Sequence, residues 1–175
     1  MKILIYSIFF LISVAGSFSA LGATTSTLTV NGLVTSATCS VDINGQDNAT
    51  VTLPTVKTSE FLEAGKVSTG VTININFKNC TDMAKLSYTV TPAQVVASNT
   101  EYVAATGGDA KNIAFVIYDN SGVRVNFKDG FYKMSLGVPT NGLITTTNRI
   151  HYVSTDIPVL AGTVNTTLVY SISYN

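Results

Sequence analysis

Residues 161–175 read AGTVNTTLVYSISYN, and from Val164 on the even positions are Val164, Thr166, Leu168, Tyr170, Ile172 and Tyr174. The odd positions between them are mostly polar: Asn165, Thr167, Ser171 and Ser173. A two-residue period of this length fits a β-strand with one buried face and no helix, because successive strand side chains point to opposite sides. The same period recurs upstream. VTININF sets Val71, Ile73, Ile75 and Phe77 against Thr72, Asn74 and Asn76, and LSYTV offers Leu86, Tyr88 and Val90. TTSTLTVNGLVTSATCSVD, from Thr24, carries Leu28, Val30, Gly32 and Val34 at its even positions. No stretch shows a sustained helical period.

Other segments fill in an all-β plan. IAFVIY, Ile113 to Tyr118, is apolar on both faces and is predicted to be a central strand. DNSG at 119–122 is predicted to turn the chain, with Asp119, Asn120 and Gly122 tolerating left-handed backbone, and VRVNF to return as a strand. FYKMSL and RIHYVS follow, and the last strand is predicted over 163–174. Short strands with frequent turns argue for a β-sandwich.

The 175 residues are 46% hydrophobic and 11% charged, enough for one domain with a core. The formal net charge is zero and the basic residues are scattered, so no nucleic-acid footprint is expected. The opening MKILIYSIFFLISVAGSFSALGA has one Lys, an apolar run from Ile3 to Val14, then small residues, the three parts of a secretory signal peptide. The run is shorter than the ~20 residues of a membrane span. Residues 1–22 are therefore expected to be a signal, with Ala23 opening the exported chain. In an exported chain Cys39 and Cys80 are most simply one disulfide. Such a bridge removes roughly 4 kcal/mol of unfolded-state entropy in the loop-closure account.

Catalytic chemistry has little to stand on. Two Cys and the single His151 do not make a four-ligand metal site. GKVSTG at 65–70 has its glycine and lysine in the wrong order for a phosphate loop. His151 lies in an alternating strand without a Ser-Asp constellation in view, and Asp109 and Asp119 read as turn residues. No enzyme activity, cofactor or metal is expected. Eight tyrosines could build a glycan-binding surface, yet Tyr88, Tyr170 and Tyr174 fit strand faces better.

Several marks together resemble a chaperone–usher fimbrial subunit of the type 1 pilus sort. An alternating extension of about sixteen residues precedes the first cysteine, with Gly32 inside TLTVNGLV. Cys80 closes VTININFKNC about forty residues after Cys39. NIAFVIYDNSGVRV is similar to the family's mid-domain hairpin, Gly162 stands fourteenth from the C-terminus, and Tyr174 is a penultimate aromatic. Ser26 and Thr166 depart from the pattern, being polar where it prefers apolar groups.

The resemblance implies an incomplete immunoglobulin-like β-sandwich lacking its C-terminal strand, with an N-terminal donor-strand extension over 23–36 and a pilin domain over 37–175. Leu28, Val30, Gly32 and Val34 would then enter a neighbour's groove, where burying each of the three larger side chains contributes roughly 1.5–3 kcal/mol. Gly162, Val164, Leu168, Tyr170, Ile172 and Tyr174 would belong to the strand beside this chain's own groove, and the carboxylate of Asn175 would be anchored by a periplasmic chaperone. The implied partners are that chaperone, an outer-membrane usher and neighbouring pilin subunits, with export to a surface fimbrium that supports adhesion. The alternative is a single-domain adhesive subunit binding a host glycan or protein receptor. A complete secreted domain that never polymerises is a further one.

Overall fold

The computed structural model describes residues 39–80 and 85–174, all within the unit that runs from Thr35 to Asn175. The described residues form nine strands: β1 (Ser40–Ile43), β2 (Val67–Lys78), β3 (Leu86–Pro92), β4 (Val95–Val96), β5 (Asn99–Ala104), β6 (Ile113–Tyr118), β7 (Tyr132–Gly137), β8 (Ile144–Ser154) and β9 (Leu168–Tyr174). They pair antiparallel into two open sheets, ordered β1-β2-β8-β6-β5-β4 and β7-β3-β9. The period-2 pattern decides which side chains meet between them. On β2, Ile73, Ile75 and Phe77 are buried while Thr72 and Asn74 face out. They meet Leu86, Tyr88 and Val90 of β3 together with Phe115, Ile117 and Ile150.

IAFVIY is central as expected, lying between β8 and β5. Its Phe115 and Ile117 belong to the main core. Its other face puts Ala114 and Val116 into a second cluster with Val153, flanked by Tyr102 and Tyr118. That second cluster is why the strand is apolar on both sides.

Two sequence expectations are corrected. VRVNF does not return as a ladder strand: only the bridge between Tyr118 and Arg124 forms. The side chain of Asp119 diverts the backbone. Its Oδ1 accepts from the amides of Ser121 and Val123, both at 2.9 Å, and its Oδ2 accepts from the Tyr132 hydroxyl at 3.1 Å. Burial and this carboxylate push the Tyr132 phenol up to about 12. Val125 then donates its amide to Ile117 and Phe127 donates to Thr100, so both side chains plug the core from a loop.

The last strand is also shorter than predicted. Its ladder with β3 begins at Leu168, because residues 163–165 bond instead to the loop at 106–110. The alternation survives that switch: Val164, Thr166, Leu168, Tyr170 and Ile172 are half-buried, whereas Asn165, Thr167, Val169 and Ser171 are exposed.

Cys39 and Cys80 form the expected disulfide, with Cα atoms 4.4 Å apart. It closes the end of the β1–β2 pair, whose last rung is Ser40 with Lys78. Nearby, Asp42 pairs with Lys78 at 2.6 Å and accepts from Asn76 and Gly45, which holds its carboxyl below the usual range. Two open sheets, neither closed on itself, make an incomplete immunoglobulin-like sandwich.

Candidate assembly groove

β9 is the edge of its sheet. It pairs with β3 on one side, and its other edge has no ladder partner among the described residues. Across from it runs the extended segment 49–56, which joins no ladder and makes no backbone–backbone hydrogen bond among the described residues. Val51 and Leu53 of that segment pack on the main core, as do Val164, Leu168, Tyr170 and Ile172 opposite them. Between the two walls lies a cavity of about 470 Å³, whose floor includes Ile73, Val103, Phe115, Ile117 and Ile150. A second hollow of about 570 Å³ lies between Val56 and Phe61 on one side and Leu160 and Gly162 on the other. Leu53, Tyr152 and Val164 line both, so the two form one trough. Among the described residues the apolar floor thus lies between two backbone edges without ladder partners, and one more β-strand is the element whose backbone satisfies two such edges while its side chains cover such a floor.

The loop at 106–111 straps the chain at 163–165, where the two hollows meet. Asn165 exchanges hydrogen bonds with Thr106 and Gly107, and the Thr163 carbonyl accepts from the amides of Asp109 and Ala110. The Asp109 carboxylate accepts from the Thr163 amide at 2.7 Å and its hydroxyl at 3.1 Å. Those bonds, the backbone one first, hold the Asp109 carboxyl below its ordinary value. Gly162 is required by this closeness: a Cβ there would stand 2.5 Å from both Asp109 Oδ1 and the Ala110 nitrogen. Asp109 is thus more than a turn residue, and its role depends on a partner 54 positions away. In the sequence it stood out only as a turn residue.

Gly162, Val164, Leu168 and Tyr170 all line the trough, and Ile172 packs on the same core. Tyr174 ends β9, its backbone opposite Leu86. Asn175 and the donor-segment residues Leu28, Val30, Gly32 and Val34 lie outside the described residues. The second wall, 49–56, escaped the sequence reading. Its alternation of Val51 and Leu53 is the signal that could have found it. Tyr170 stacks on buried Tyr88 with ring centroids 6.2 Å apart, and burial pushes its phenol well above the ordinary tyrosine range.

Among the described residues no catalytic constellation lines the trough. His151 sits on β8 with Nδ1 2.9 Å from the Ser68 carbonyl and its ring edge-on to Tyr118. Among the described residues no group of three or more His, Cys, Asp or Glu could hold a metal ion.

Known proteins share this architecture. Residues 25–175 match the family described as fimbrial protein. The chain is 31% identical over 159 residues to the minor fimbrial subunit HifD of Haemophilus influenzae, a match covering 82% of this chain and 70% of that protein. Among solved structures it is similar in fold to a subunit of a chaperone–usher pilus, at 19% identity and a TM-score of 0.62, over 87% of this chain and 97% of the other. The P pilus rod subunit PapA is similar too, at 20% identity and a TM-score of 0.59, over 85% and 100% of the two chains. With the family match spanning nearly all of the chain past its signal-like opening, and a relative 31% identical over most of its length, the chain belongs to the fimbrial protein family.

Proposed function

We propose that this fimbrial subunit polymerises by donor-strand exchange, with the trough between 49–56 and β9 as its acceptor and the segment Leu28 to Val34 as the strand it lends to a neighbour. The observation that carries the reading is the pair of backbone walls, without ladder partners among the described residues, over an apolar floor. A subunit of this kind works as a building block and not by turnover. Left open, such a trough invites aggregation. That supports a sequence in which residues 1–22 are removed on export, a periplasmic chaperone covers the trough, and an outer-membrane usher exchanges the chaperone for the extension (23–36) of the next subunit. The domain from 37 to 175 then forms the body of a surface fimbrium. Gly162, Val164, Leu168, Tyr170, Ile172 and Tyr174 make up the acceptor side in this reading, and the Asn175 carboxylate is where the chaperone would hold on.

The donor role is tested in the cell. With Leu28→Asp and Val30→Asp together, the exported subunit is expected to keep its periplasmic level and to disappear from sheared surface fimbriae. Burying two carboxylates in an apolar seat costs far more than the strand's hydrogen bonds return. Unchanged incorporation of the doubly substituted subunit would overturn the assignment of the donor segment.

A further inference from the structure

The floor of the trough is apolar, yet two hydroxyls are sunk into its wall. Thr166 and Tyr170 both line the cavity, and Thr166 Oγ1 and the Tyr170 hydroxyl are buried with no hydrogen-bond partner among the described residues. They stand at inward positions on either side of Leu168. A buried hydroxyl without a partner is destabilising, and a strand that seats against it with an apolar side chain leaves it so. We propose that these two hydroxyls are specificity determinants of the acceptor: they select a donor strand from a different subunit, one that turns hydroxyl or amide side chains inward at two positions four residues apart. This rests on the strand-acceptor reading of the trough.

Register disfavours this chain's own segment as the preferred occupant. A strand lying along this wall sets one inward residue against each of Thr166, Leu168 and Tyr170, since inward residues recur every second position. The inward series of the segment is Thr24, Ser26, Leu28, Val30, Gly32, Val34, Ser36. Side-chain partners for both hydroxyls require polar residues at the first and third of three consecutive members. The available pairs are Thr24 with Leu28, Ser26 with Val30, Leu28 with Gly32, Val30 with Val34, and Gly32 with Ser36. None is polar at both places. Because the condition is symmetric, it fails for parallel and antiparallel seating alike. The own segment therefore leaves at least one hydroxyl unmet, and a heterologous donor with the right spacing leaves neither.

Single substitutions create the missing spacing. Val30→Thr supplies a second hydroxyl to go with Ser26, with Leu28 between them. Gly32→Thr supplies one to go with Ser36, with Val34 between them. The full-length exported chain and its Thr166→Val/Tyr170→Phe counterpart are each incubated with an equimolar mixture of the 24–36 peptide and one substituted peptide. The ratio of the two peptides retained is read by mass spectrometry. A ratio within one preparation is insensitive to how much of that preparation is folded. At least one substituted peptide is expected to be favoured about tenfold by the natural chain, and the preference is expected to vanish or reverse in the counterpart. If the unsubstituted peptide is retained as well as or better than both, or if the preference survives in the counterpart, the hydroxyls do not select the donor. If neither protein retains any peptide, the strand-acceptor reading falls and this proposal with it.

Discussion

At the scale of single residues, one wall of the trough depends on one missing side chain. Gly162 lets the chain pass so close to the strap that the Asp109 carboxylate reaches the Thr163 amide and hydroxyl. Gly162→Ala is expected to lower unfolding stability by about 1–3 kcal/mol, the usual cost of forcing an extra carbon into occupied space. Chemical denaturation of the oxidised protein checks it, and an unchanged midpoint would mean the strap yields freely. Asp119 shows the same economy of means. One buried carboxylate fixes a turn through two amides and the start of β7 through the Tyr132 hydroxyl. Both aspartates stand out as turn formers in the sequence. What each reaches across the fold does not, because those partners come from distant strands.

At the scale of elements, the alternating stretches told most of the story. β2, β3 and β9 place their alternating apolar residues on the core side as their patterns require, since a slip of one residue would turn the whole set outward. Where the pattern misled, local chemistry outweighed periodicity. VRVNF alternates as well as any strand, but the Asp119 side chain occupies the amides a hairpin would use. Residues 163–165 alternate too, but their backbone bonds go to the loop at 106–110. The wall at 49–56 carried only a short signal, the alternation of Val51 and Leu53, which Pro54 cuts off.

That wall lies inside the long connection from β1 to β2, which the disulfide closes at its base. Replacing both cysteines by serine is expected to cost roughly 4 kcal/mol. For a domain of this size that is a fall of about 8–16 °C in melting temperature. Differential scanning calorimetry checks the figure, and a drop of only a degree or two would show that the connection is held by packing alone.

At the scale of the whole molecule, the described strands form two open sheets over a buried core, and one trough between 49–56 and β9 lies against that core. The fold class and one wall of the site were legible in the sequence, through β9 and the two cysteines. The other wall, the strap and the buried hydroxyls of Thr166 and Tyr170 were not, since each depends on which surfaces come together once the sheets have formed. Completion of this sandwich by a strand from outside is the central claim. The most direct measurement is a thermal melt of the oxidised domain without residues 23–36. It would be run alone and with the peptide spanning 24–36 or its Val30→Thr and Gly32→Thr forms. A large rise in melting temperature with peptide, lost when Leu28 and Val30 of the peptide are replaced by aspartate, is the expected result. A high melting temperature indifferent to every peptide would mean that the sandwich is already complete, and the account would be wrong.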